Sequence, residues 1–227
     1  MRAFSRLRWL VQAKRHPSAW LLLAQLAGVC LYPVFDGMPM GNVLLGLFGM
    51  GVLALALWVV NRSPTLNWFA WCLAVPGGML SLLAAWFRDT HLLGVAHVLE
   101  GALYLYTALG LIAYMLQDHE VTSDELFAAG ATFTLLAWAF AYAFSVCQIV
   151  WPGSFVAALH PESRRSWVEL LSLSFSMLSG VGLSDVMPVR PHARALVMLA
   201  QFAGVMYIAL VVSRLIGLTI VRGKGRD

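Results

Sequence analysis

Six apolar blocks, at about 19–35, 41–60, 66–87, 92–116, 125–151 and 191–219, limit what this chain can fold into. Each is close to the roughly 20 apolar residues an α-helix needs to cross about 30 Å of hydrocarbon. Inside such a layer every backbone polar group needs an internal partner, which a helix supplies within its own segment. The breaks between blocks carry turn chemistry: DGMPMGN after the first, NRSPT after the second, RDTH after the third and QDHEVTSDE after the fourth. In the last of these, Thr122 or Ser123 is placed to cap the following helix. No polar stretch is long enough for a separate soluble domain. The expected fold class is therefore an all-α integral membrane protein with six transmembrane helices.

Composition narrows the partners. Charged residues make up 11% of the chain and hydrophobic residues 60%, against about 25% charged in soluble domains. The net charge of +4 comes from basic residues at block edges, not from a clustered patch, so no nucleic-acid partner is expected. A lipid bilayer with anionic head groups fits that distribution. Cys30, Cys72 and Cys147 fall in three different blocks without metal-ligand spacing and read as buried thiols. Residues 1–18 are too basic and too interrupted for a signal peptide and read as a basic amphipathic segment on the membrane surface. Arg2, Arg6, Arg8, Lys14 and Arg15 precede the first block, and Arg222, Lys224 and Arg226 follow the last. By the positive-inside rule both termini are cytoplasmic, although Arg88, Arg164 and Arg165 then fall on the outer side. There is no convincing internal repeat.

The stretch between the fifth and sixth blocks breaks the pattern. Residues 166–178, SWVELLSLSFSML, make only about 20 Å of helix, too short to cross. Serines at 172, 174, 176 and 179 bring nothing to a lipid-facing helix. A glycine-rich stretch follows, and non-helical backbone is tolerated at membrane depth only where protein or water surrounds it. These features read as a re-entrant half-helix leading into an extended loop. The half-helix C-terminus carries about half a negative charge, and glycines let carbonyl groups turn toward an axis and replace hydration water around a cation. One chain supplies one wall, which implies a ring of subunits, most naturally four.

This arrangement resembles the pore module of the potassium channel superfamily. The family signature TVGYGD, with Pro three residues later, is here GVGLSDVMP. Val181, Gly182, Asp185 and Pro188 match it, and Ser179 keeps a hydroxyl where the family often has Thr. Arg194 falls where many pores carry a basic residue, and Gly204 where many have a hinge glycine. The resemblance covers about 166–218, is weaker over the fifth block and does not reach residues 1–116. It implies a pore domain over 117–227, with outer helix 125–151, pore helix 166–178, filter 179–184 and inner helix 191–219, preceded by a four-helix membrane domain over 19–116. The filter would be Ser179, Gly180, Val181, Gly182, Leu183 and Ser184, with Asp185 as an outer acidic ring. A homotetramer passing monovalent cations, potassium foremost, through a bacterial inner (plasma) membrane is implied, with no cofactor and no enzymatic reaction.

Three departures weaken the selective design. Gly180 replaces the threonine of the innermost ion site, Leu183 an aromatic brace, and Ser184 the second glycine. At Ser184 a non-glycine residue is expected to enter backbone costing about 1 kcal/mol or more. Weak selectivity, a different ion preference and a closed filter all stay open. So does a second class of function, a non-conducting membrane scaffold or regulatory subunit that keeps the pore fold.

The other ionisable residues are read more plainly. The fourth block has no Arg or Lys, which excludes a charged voltage sensor there. His97 and Glu100 lie three residues apart on one helical face. They form either a proton-sensitive or ion-coordinating pair, or, as we favour, a hydrogen-bonded pair that glues helices together or residues close enough to the interface to be wet. The first of these leaves a third class open, a redox or transport protein. No opposing His completes a haem or metal site, and no Walker loop, HExxH or nucleophile triad is present. Glu169 is expected to support the half-helix N-terminus. Asp185 is placed to gather cations, to brace its loop through a hydrogen bond to the half-helix, or both, and Arg164 and Arg165 either oppose cations or bind head groups.

Overall fold

The structure, a computed structural model, describes residues 17–35, 48–52, 54–55, 67–117, 123–214 and 216–217. The expectations for the N-terminal basic segment before Pro17, for most of the 41–60 block and for the basic tail fall outside the described residues. Helix α1 covers Pro17–Phe35, α2 Asn67–Phe87, α3 Thr90–Gln117 and α4 Ser123–Val150. A short strand β1 (Phe155–Ala157), a helix α5 (Trp167–Leu178) and a strand β2 (Val186–Pro188) follow. Helix α6 (Pro191–Tyr207) then runs into a π-helical turn over Ile208–Val212.

Four helical stretches are long and apolar enough to cross a membrane: Trp68–Phe87, Thr90–Leu116, Asp124–Val150 and Pro191–Val212. The α1 stretch Pro17–Tyr32 and α5 are apolar but shorter. Pro76 sits inside α2, where it has no N–H to donate to the carbonyl one turn back.

Helix α4 is the axis of packing, with α1, α3, α5 and α6 all against it. Of its apolar stretch 67% is buried, against 22% for α2 and 28% for α6. Its buried alanines, Ala128, Ala131, Ala137 and Ala141, let neighbours approach closely. A Cβ at Gly101 of α3 would sit 3.1 Å from Tyr142 Cβ of α4, so a methyl group there would already crowd the pair.

Contacts fix the direction of each helix. Gly94 meets Ile149, His97 meets Ser145 and Gly101 meets Tyr142, so α3 and α4 are antiparallel. Ser81 bonds Glu100, and Phe69 packs on Tyr106, so α2 and α3 are antiparallel as well. Helix α1 runs parallel to α4: both the amide and hydroxyl of Ser18 donate to the Asp124 carboxylate, at 3.0 and 2.8 Å, and Gly130 faces Leu22. Arg214 donates to the Leu116 carbonyl, which sets the far end of α6 beside the end of α3. The start of α1 and the far end of α6 therefore lie at the same end of the bundle.

Strands β1 and β2 pair antiparallel, with Phe155 opposite Pro188, Val156 opposite Met187 and Ala157 opposite Val186. This ladder joins the chain leaving α4 to the chain entering α6, and α5 hangs between its two strands. One expectation is corrected here. Cys147 is buried, but Cys30 and Cys72 are exposed, because an apolar sequence block does not by itself say which of its faces meets the rest of the protein.

Candidate functional site

Helix α5 is held at both ends. At its start, Ser166 Oγ accepts from the Glu169 amide at 3.3 Å and Glu169 Oε2 accepts from the Ser166 amide at 2.5 Å, a reciprocal capping box. Glu169 thus supports the helix N-terminus, and its other oxygen takes a 3.0 Å ion pair from Arg165. The Arg165 side chain is only 2% exposed. It donates to the carbonyls of His160 (2.5 Å) and Ser163 (2.6 Å) and to the Ser163 hydroxyl. Gln148 of α4 clasps the Arg165 backbone from both sides: its Oε1 accepts from the amide and its Nε2 donates to the carbonyl, each at 3.1 Å. Arg165 is therefore no head-group ligand. It knits the loop over 159–163 to α4 and α5.

Of the serines of α5, Ser172 is exposed, while Ser174 and Ser176 are engaged. Ser174 is buried and donates to the Ala137 carbonyl of α4 at 2.7 Å. Ser176 donates to the Leu183 carbonyl at 2.6 Å, while its own carbonyl accepts from the Gly182 amide at 3.1 Å. Ser179 donates back to the Ser176 carbonyl at 3.1 Å. The last turn of α5 thus clamps residues 179–183 against itself.

Within that loop Gly180 and Gly182 have φ of +75° and +71°, the left-handed region that glycine enters at no steric cost. Val181 (63%) and Leu183 (80%) are exposed on the single chain. Ser184 is not among the residues with positive φ, and its hydroxyl accepts from the Val186 amide at 3.1 Å. The expected strain at Ser184 is absent. Strain would instead arise at position 180, where a threonine would meet a left-handed backbone. Asp185 is exposed and makes no hydrogen bond or ion pair among the described residues, so it does not brace the loop.

Gly204 lies inside regular α-helix and is buried. A Cβ there would fall on the backbone carbonyl of Leu178, at the end of α5. Its role in this structure is close packing between α5 and α6. The irregularity of this helical stretch lies further along, in the π turn at Ile208–Val212, the kind of turn that often marks a functional position.

His97 and Glu100 do not bond to each other. His97 Nδ1 lies 2.9 Å from Ser145 Oγ of α4, and its ring packs 5.2 Å from Tyr142 and 6.0 Å from Trp167 at the start of α5. Glu100 accepts from Ser81 of α2 at 2.6 Å. His97 joins α3 to α4, and Glu100, which also shares a hydrogen bond with Tyr142, joins α3 to both α2 and α4. Among the described residues no three of His, Cys, Asp and Glu converge as metal ligands.

The Arg165 network and the Ser176 clamp went unread in the sequence. Signals for the first were present: a polar Gln148 in an apolar block, and an Arg directly before the S-x-x-E capping pattern at 166–169. Loss of the second is measurable. Ser176→Ala is expected to cost about 1 kcal/mol and to speed hydrogen exchange at the Gly182 amide, and unchanged exchange would show that the hydroxyl does not order the loop. No known family model, curated protein or solved structure matches this chain.

Proposed function

We propose that the chain is a subunit of a tetrameric, potassium-channel-like cation channel, with residues 179–184 lining a passive ion route and no charged voltage sensor. The observation that carries this reading is the pairing of a short apolar helix with a loop whose alternate residues, Gly180 and Gly182, are left-handed. Glycines in that region let carbonyl groups turn toward an axis, and the helix C-terminal dipole favours a cation beside them, while the Leu183 carbonyl is held by the Ser176 hydroxyl. Two further features support it. Helix α6 buries Ala193, Val197, Ala200 and Gly204 but exposes Met198, Phe202 and Val205, an apolar face available to other copies. The described chain also leaves α1 at one end of the bundle and enters α2 at the other, which supports a crossing between them and a total of six.

A second reading, a non-conducting scaffold or regulatory subunit, draws on Leu183, an exposed apolar side chain without the hydrogen-bonding group of an aromatic brace such as tyrosine. Cation flux into liposomes holding the purified tetramer separates the two. Flux down potassium or sodium gradients is the expected result, and an intact tetramer that passes neither ion favours the scaffold. Leu183→Tyr with Ser184→Gly is expected to raise potassium preference over sodium, leaving Gly180 untouched because its backbone is left-handed. An unchanged preference would tell against residues 179–184 as the selective element.

A further inference from the structure

Glu100 is 8% exposed and sits about 15 Å along α3 from Thr90, half the depth of a roughly 30 Å hydrocarbon layer. Two helices close around it. Ser81 of α2 donates to its Oε1 at 2.6 Å, and Tyr142 of α4 shares a hydrogen bond with it. Gly77 of α2 backs its stem, where an added Cβ would lie 3.5 Å from Glu100 Cγ. Glu100 and all three of these neighbours lie in stretches long and apolar enough to cross a membrane.

No cation answers this carboxylate among the described residues, where the one salt bridge joins Arg165 to Glu169. Helix α2 holds no Asp, Glu, Lys, Arg or His. Within α3, His97 meets Ser145 rather than Glu100. The Tyr104 ring stacks on Tyr142 at 5.4 Å, but its hydroxyl donates to the Gly49 carbonyl. From α1, buried Tyr32 bears on Tyr142, and Arg164, in the loop before α5, bears on His97. Glu169 of α5 is engaged by Arg165 and Ser166. An ionised carboxylate held at this depth by neutral donors alone is costly, and what relieves it is a proton or a bound metal.

Calcium and magnesium ask for about six oxygens or more, whereas one carboxylate and two hydroxyls stand here. A proton fits better. Serine and tyrosine hydroxyls both donate and accept, so by turning their hydrogens Ser81 and Tyr142 can hold the carboxyl in either state without moving a heavy atom. Tyr142 is also the link to the half-helix: its ring lies 4.3 Å from that of Trp167, the first residue of α5, and 5.2 Å from that of His97. We propose that Glu100 is a proton-binding site inside the bundle, held by Ser81 and Tyr142, and that gain or loss of its proton is felt at Trp167 through Tyr142. The proton comes from and returns to water, and the O–H bond of the carboxyl is the one that forms and breaks. The site stands apart from residues 179–184 and does not depend on conduction.

Infrared difference spectra of the full-length protein in detergent, recorded as pH is lowered over the range in which it stays folded, test the proton site. The carbonyl-stretch band of a protonated carboxyl is expected to grow in, to vanish in Glu100→Gln and to persist in Glu162→Gln, an exposed acid outside the helices. Ser81→Ala keeps the acid but removes a hydrogen-bond partner, so its band should move to higher frequency, and this variant carries the test if Glu100→Gln does not fold. Tryptophan emission tests the link to α5: a change that tracks the band is expected in the wild type and should be lost in Glu100→Gln and in Trp167→Phe. A band that does not depend on pH, stays unmoved in Ser81→Ala or survives in Glu100→Gln overturns the proposal. So does an emission change that survives in Trp167→Phe, or one that survives in Glu100→Gln and thereby belongs to His97.

Discussion

Gly204→Val is expected to leave little folded protein, and Gly204→Ala to cost about 3 kcal/mol, the top of the range for overpacking. The reason is what lies opposite. A Cβ at this position would overlap the carbonyl oxygen, carbonyl carbon and Cα of Leu178. All three are backbone atoms, so no side chain can swing aside, and relief requires α5 and α6 to separate. Their separation would unseat Val197 and Ala200 from Leu170 and Leu173, with which they share a buried cluster. Gly217→Ala is the control, because no atom lies within 4 Å of a Cβ there, and it should stay within about 0.5 kcal/mol of wild type. Denaturant melting in detergent reads both. If Gly204→Ala melts with Gly217→Ala, the close packing of α5 on α6 is not as described.

Arg165→Met is expected to cost about 3 kcal/mol, as removal of one member of a buried charged network does. Its loss strips donors from the carbonyls of His160 and Ser163 and leaves the Glu169 carboxylate without its ion pair. His160 adds to the effect, because its φ of 51° is left-handed, which costs a non-glycine residue about 1 kcal/mol or more. Arg165 holds the carbonyl of that residue. Without it, His160 is free to return to an ordinary backbone angle and the loop over 159–163 rearranges. Arg165→Lys should recover only part of the loss, since one ammonium cannot reproduce the forked set of bonds. Melting together with hydrogen exchange over 159–166 checks this, and an Arg165→Met protein with wild-type exchange there would remove the network from any structural role.

Helix positions were largely legible, and for a physical reason. The blocks at 66–87, 92–116 and 125–151 and the half-helix at 166–178 coincide to within two residues with α2, α3, α4 and α5, because apolar length and capping chemistry decide where such helices begin and end. What depended on neighbours was not legible. Spacing placed His97 and Glu100 on one helical face but could not name their partners: His97 meets Ser145 of α4, while Glu100 reaches both Ser81 of α2 and Tyr142 of α4. Cys30 and Cys72 lie in apolar blocks, and apolar surroundings in lipid carry no information about burial in protein. Gly204 was read as a hinge, while its conformation is plain α-helix and the constraint comes from Leu178, 26 positions earlier. The π turn at Ile208–Val212 leaves no mark in a run of Ile, Ala, Leu and Val. At Ser184 the expected strain followed from a match of letters. The backbone places its left-handed residues at 180 and 182 instead.

The three-residue ladder between β1 and β2 has a practical consequence for engineering. Directly opposed residues in an antiparallel pair lie about 5 Å apart, so residues 158–185 depart and come back at nearly one point in space. Within that segment α5 is also tied to α4 through Gln148 and Ala137 and to α6 at Gly204, so a replacement seated on Ala157 and Val186 keeps the spacing of α4 and α6 only if it keeps α5 and its contacts.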